Sequence, residues 1–86
     1  MQAKPIRYDE YSEEQLLNMT REQATKGLAE RQQRFCEFYV EGFNRKLALL
    51  KAGYPETTPT YANRLLLHDK IKRYIQWLKV RIINDR

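Results

Sequence analysis

The sequence predicts an all-α protein, a small helical bundle containing a helix-turn-helix. Three observations predict it. Apolar residues recur at the spacing of helix faces, and no run alternates as a half-buried strand would. Only three glycines and three prolines interrupt 86 residues, so turns are few. Capping residues stand just ahead of the periodic runs, at Ser12, Thr20, Asn44 and Thr58. A chain of this length forms one domain at most, with a marginal core that oligomerisation would help.

Met1–Tyr11 has no helical period and contains Pro5, which reads as a mobile arm. Ser12–Gln15 (SEEQ) is a capping box: the Ser12 hydroxyl accepts from the Gln15 amide, and the Gln15 side chain reaches back. A short helix over 13–19 follows. Thr20–Gln23 (TREQ) repeats the box and starts a second short helix, with Gly27 as its stop. The next helix spans Glu30–Glu41 and ends at Gly42. Leu28, Phe35, Phe38 and Tyr39 share its inner face, and Cys36, Val40 and Phe43 widen it. Cys36 reads as a small buried apolar residue.

Asn44 caps a helix through Ala52, for which Leu47, Leu50 and Ala48 offer a packing surface. Gly53 closes it in the left-handed conformation. Thr58 then caps a new helix with Pro59 at its first position, where a missing N–H costs nothing. In that helix Ala62, Leu65 and Leu66 turn inward, and Thr60, Asn63, Arg64 and Leu67 turn outward. Tyr61 and His68 lie at the edge. The last helix, over 70–84, has an inner stripe of Ile71, Tyr74, Ile75, Leu78 and Ile82. Trp77, Val80 and Ile83 form a second apolar set. A small domain exposes some apolar surface, and a folded-back N-terminal segment is a second candidate to cover that set; the expectation is contact with a neighbouring subunit, or with a segment beyond Arg86 in a longer native chain. The chain divides into an arm with short helices, 1–27, and a helix-turn-helix domain with its C-terminal helix, 28–86.

The formal net charge is +5 and unevenly placed. Residues 1–42 hold six Lys/Arg against eight Asp/Glu, and residues 43–86 hold ten against three. A basic half suits a polyanion. One cysteine makes no internal disulfide, which fits a reducing cytosol. No apolar run is long enough to span a bilayer, and the polar, acid-bearing N-terminus is no secretory signal. These features predict a soluble intracellular protein with no membrane partner. There is no phosphate-binding Gly-rich loop. One His and one Cys form neither a metal cluster nor a nucleophile–base pair, so no catalytic residue, metal ligand or cofactor is expected.

Two helices joined by a short Gly-containing turn, with a polar outer face on the second, describe a helix-turn-helix. The first helix braces the second, which lies in the DNA major groove. Arg matches guanine and Asn matches adenine through paired hydrogen bonds. The candidate DNA-binding residues are Arg45, Lys46 and Lys51 on the first helix, and Thr58, Thr60, Tyr61, Asn63 and Arg64 around the second. Lys70, Lys72 and Arg73 flank the unit as further phosphate holders. For Arg64 the competing reading is structural, a pair with an acidic residue of the first core helix. A helical protein-interaction module that binds no DNA has the same outline.

Residues 31–75, RQQRFCEFYVEGFNRKLALLKAGYPETTPTYANRLLLHDKIKRYI, resemble the N-terminal domain of phage terminase small subunits. The matching residues are Gln33, Arg34 and Phe35; Asn44; Ala52, Gly53 and Tyr54; Arg64, Leu65 and Leu66; and Lys70 with Ile71. Ala29 stands where that family opens its core helix on Ser or Thr, which leaves open that the upstream segment runs on into this helix. The resemblance implies a helix-turn-helix that binds double-stranded viral DNA and regulates a terminase large subunit in genome packaging. It implies a ring-like homo-oligomer, work in the cytoplasm of a bacterial host, and no enzymatic activity of its own. A helix-turn-helix transcription regulator would use the same residues on an operator.

Overall fold

Side-chain caps at Ser12, Thr20, Asn44 and Thr58 open four of the helices, and Gly42 and Gly53 close two. The computed structural model describes residues 11–84. Six helices follow one another: α1 Glu13–Asn18, α2 Arg21–Thr25, α3 Glu30–Glu41, α4 Arg45–Ala52, α5 Pro59–Leu66 and α6 Asp69–Asn84. No strand occurs among the described residues. The fold is therefore all-α. Residues 1–10 of the expected arm lie outside the described residues, and Tyr11 packs against the core.

Both expected capping boxes form. Ser12 Oγ accepts from Gln15 N at 3.1 Å, and Thr20 Oγ1 accepts from Gln23 N at 3.1 Å. The Gln15 and Gln23 side chains accept in return from the backbone N–H of Ser12 and Thr20, each at 2.9 Å. Ala29 has no capping side chain, yet α2 does not run on into α3. Gly27, at φ 82°, turns the chain between them. Gln32 supplies the other half of a box to α3, its side chain accepting from Ala29 N at 2.8 Å. At the C-terminus of α3, Gly42 N bonds Tyr39 O and Phe43 N bonds Phe38 O, the paired bonds of a Schellman motif. The accompanying apolar contact is Phe38 on Phe43, edge to face at 5.9 Å.

The core is one cluster. Phe35 and Cys36 of α3, Ala48, Leu49 and Ala52 of α4, Ala62 and Leu65 of α5, and Ile71, Tyr74, Ile75 and Trp77 of α6 are all buried. Leu16 of α1 and Ala24 of α2 join the same cluster. Two expectations about faces fail. Leu49, with the small Ala48 and Ala52, is the packing residue of α4, while Leu47 and Leu50 are 41% and 59% exposed. The two alanines let the backbone of α4 approach α3, so the short residues mark the buried side. Ile82 also leaves the expected stripe, at 43% exposed. At 1.5 Å per residue α6 is about 24 Å long against about 18 Å for α3, so its last turn overhangs its partner.

The largest correction concerns Trp77. It is only 7% exposed, and its Nε1 donates to Met19 O at 2.7 Å. Val80 is half-buried, while Ile83 is 68% exposed. The folded-back α1–α2 layer covers Trp77, so Trp77 is not the subunit anchor expected of it. Arg81 fastens the same layer. Its guanidinium lies 3.7 Å from the Trp77 ring centre and donates to Leu16 O at 3.0 Å, Leu17 O at 3.3 Å and Met19 O at 3.0 Å. Arg73 repeats the device about two turns earlier, donating to Ala24 O at 3.1 Å and Lys26 O at 2.6 Å. Glu37 joins three helices by accepting from Arg21 at 2.9 Å and from the Tyr74 hydroxyl at 2.7 Å.

Candidate nucleic-acid interface

The candidate interface is built by the turn between α4 and α5. Asn44 Oδ1 accepts from Leu47 N at 2.9 Å and opens α4. Gly53, at φ 91°, ends it, with Gly53 N bonding Leu50 O at 3.1 Å and Tyr54 N bonding Leu49 O at 3.0 Å. A residue with a Cβ resists that φ, so the turn needs glycine there. The Schellman pair sends Tyr54 inward, where its ring meets Phe35 and Tyr61 edge-on. Thr58 caps α5, its Oγ1 accepting from Tyr61 N at 3.3 Å, with Pro59 at the first turn.

The inward and outward faces of α5 fall as the sequence predicts. Ala62 and Leu65 are buried, and Leu66 and Tyr61 are half-buried. Thr60, Asn63, Arg64 and Leu67 are exposed on the other side. The Arg64 carbonyl accepts from Leu67 N at 3.3 Å, but its side chain has no hydrogen bond or ion pair among the described residues, so the competing structural reading finds no acidic partner on α3 there. Thr58 is differently placed: its hydroxyl also donates to Glu56 Oε2 at 3.1 Å, so the cap uses it on both sides. Tyr61 has its ring against Tyr54, with centres 5.5 Å apart.

On α4 the three candidate cations part company. Arg45 reaches α5 and donates to Asn63 Oδ1. Lys46 is exposed. The Lys51 ammonium lies 4.8 Å from the Phe43 ring centre and 5.8 Å from that of Phe38. Because Ala48, Leu49 and Ala52 turn inward, Lys46 and Lys51 flank the opposite face with Leu47 and Leu50 between them. Lys51 thus belongs to the α3–α4 corner rather than to the Arg45–Asn63 contact. Arg73, expected among the phosphate holders, is buried and committed to backbone carbonyls.

The structure adds residues that periodicity did not single out. A recess of about 560 Å³ lies between the start of α3 and the α4–α5 turn, lined in part by Arg31, Arg34, Gly53, Tyr54 and Tyr61. The Arg31 guanidinium sits 5.5 Å over the Tyr54 ring. Arg34 pairs with Glu30 at 2.6 Å across one helical turn, an exposed contact of little strength. The Tyr54 hydroxyl is buried with no hydrogen-bond partner among the described residues, and burial pushes its pKa up to about 12. Cys36 is equally inert: burial first, then the neighbouring Glu37 charge, raises its thiol to about 12. Among the described residues no cluster of His, Cys, Asp and Glu could hold a metal ion. No helix there is long and apolar enough to cross a membrane.

The profile of the terminase small subunit family matches residues 28–86, from just before α3 to the end of the chain. The PBSX phage terminase small subunit of Bacillus subtilis (strain 168) is 37% identical over 59 residues. Those residues are 67% of this chain and 22% of the relative, so the chain spans well under half of that relative's length. No solved structure gives a significant match. A profile match across most of the chain, over the very segment that folds into α3–α6, places this protein in the terminase small subunit family.

Proposed function

We propose that this chain is a DNA-binding unit of a phage packaging machine. It engages double-stranded viral DNA through α4 and α5 and regulates a terminase large subunit. The observation that carries the reading is the outer face of α5. Thr60, Asn63 and Arg64 stand exposed together on a helix held by Thr58, Gly53 and the α4 brace. Polar donors and acceptors on a rigid helix are what base edges require. Leu67, 71% exposed on the same face, offers an apolar contact of the kind thymine methyl groups take.

Phosphates fall to the cations beside that face, Lys46 first, and to Arg31 at the recess next to the turn. A single small domain binds DNA weakly. A ring of copies would cluster many weak sites and multiply their effect. ATP hydrolysis and DNA cutting are then tasks of the large subunit in the host cytoplasm.

The test is anisotropy of labelled duplexes against Thr60→Ala and Arg64→Ala. A residue that reads a base should lose about 1–3 kcal/mol on sequences carrying that base and little on others. Equal loss on every sequence assigns a phosphate contact instead. Unchanged binding by both variants overturns the placement of α5 on DNA.

A further inference from the structure

The hydrogen bond between Arg45 and Asn63 fixes which end of the Asn63 amide is free. A guanidinium carries only donors, so the atom that meets it must be the amide oxygen of Asn63. This settles the amide orientation by chemistry. Nδ2, which carries two N–H donors, is the group left over, and it has no hydrogen-bond partner among the described residues. Both side chains are exposed, and Asn63 stands beside Thr60 and Arg64 on the outer face of α5.

We propose that Arg45 and Asn63 read DNA as one unit, with Arg45 holding the amide oxygen so that Nδ2 addresses a hydrogen-bond acceptor on a base edge. The proposal rests on the reading that α5 enters the major groove. Acceptors there are N7 of either purine and O6 of guanine. Guanine offers both, and the N–H groups of Arg45 not used by Asn63 can share them. Asn63 alone would pair with adenine, its amide oxygen accepting from N6 and Nδ2 donating to N7. Held by Arg45, it favours a purine at one position, guanine first. Arg45 is thus a positioning residue for Asn63, although it lies on the bracing helix.

Selection from a duplex library with a randomised core tests this, using the full chain and reading base frequencies rather than affinity. Wild type should enrich a purine at one position by roughly tenfold over pyrimidines, the scale of one well-made base contact. Arg45→Ala should reduce that preference severalfold, and Arg45→Lys, which still donates to the oxygen, should restore much of it. Asn63→Asp keeps an oxygen for Arg45 but replaces the Nδ2 donor with an acceptor. Its preference should move to bases that present an exocyclic amine, cytosine or adenine. Circular dichroism confirms that each variant is folded.

The inference is overturned if Asn63→Ala removes a base preference that Arg45→Ala leaves intact. It is also overturned if neither change alters any position of a library that wild type still enriches. Both of those results leave DNA binding by α5 standing. Failure of wild type to retain any duplex at low salt instead removes the underlying reading, and the proposal with it.

Discussion

Removing the Arg81 side chain should loosen the N-terminal layer without touching the helix-turn-helix. Arg81 supplies three hydrogen bonds to the carbonyls of Leu16, Leu17 and Met19 and stacks on Trp77. Hydrogen bonds from a charged donor contribute about 1.5–3 kcal/mol each, but water can replace part of this at a half-exposed residue. The stacked cation on Trp adds about 0.5–2 kcal/mol. A net loss of roughly 2–3 kcal/mol for Arg81→Ala follows after that discount. For a chain of this size total stability is on the order of 4–13 kcal/mol, so the change is large. At about 4–8 °C per kcal/mol, the melting temperature by circular dichroism should fall by about 10–20 °C. Trp77 fluorescence should shift to the red as α1 and α2 uncover the ring. Arg81→Lys should recover only part of the loss, because one ammonium neither spans three carbonyls nor lies flat on an indole. DNA affinity well below the melting point should stay at the wild-type level. A fall in melting temperature under about 2 °C for Arg81→Ala, or full rescue by Lys, would refute the reasoning.

Gly53→Ala should cost about 1–2 kcal/mol from backbone strain, because an added Cβ meets nothing within 4 Å and only the φ of 91° opposes it. Gly53→Asn should cost less, and equal urea midpoints for glycine and alanine would contradict this account. Alkaline stability depends on Cys36 and Tyr54, whose pKa values rise on folding from 9.0 and 10.0 to about 12 in each case, and on Tyr74, which burial and its hydrogen bond to Glu37 raise in the same direction. The unfolded chain releases these protons first, so their contribution is complete below about pH 9 and is lost as pH climbs towards about 12. Cys36→Ala should flatten the fall in urea midpoint between about pH 8 and about pH 9.5, and an unchanged slope would rule out the thiol as its source.

Much of the helical order was legible because caps act locally. The boxes at Ser12 and Thr20, the Asn44 and Thr58 caps and the turns at Gly42 and Gly53 involve residues no more than a turn or so apart. The outer face of α5 was legible for a similar reason: Ala62 and Leu65 leave it one possible inner side. Periodicity failed where two faces of a helix are both covered. It counted Trp77 as unpartnered because the partner, Met19, lies 58 residues away and contributes a carbonyl rather than an apolar side chain. It rightly put Ala48 inward, but read Leu47 and Leu50 beside it because size drew attention, when the buried partners are Leu49 and Ala52. Charge counting made Arg73 a surface cation and did not single out Arg81, yet both bind carbonyls that the short helices α1 and α2 leave exposed at their ends. The contact of Arg45 with Asn63 had no sequence signal, since it depends on the angle between α4 and α5.

Salt dependence of duplex binding tests the central claim most directly. Each neutralised phosphate contributes about −0.9 to the slope of log affinity against log salt, so a few cations beside α5 predict a slope of roughly −2 to −4. Lys46→Ala and Arg31→Ala should bring it closer to zero, by about one unit for each change that removes a phosphate contact. A slope near zero, or no detectable binding of duplex at low salt, would contradict the assignment of α4 and α5 to DNA.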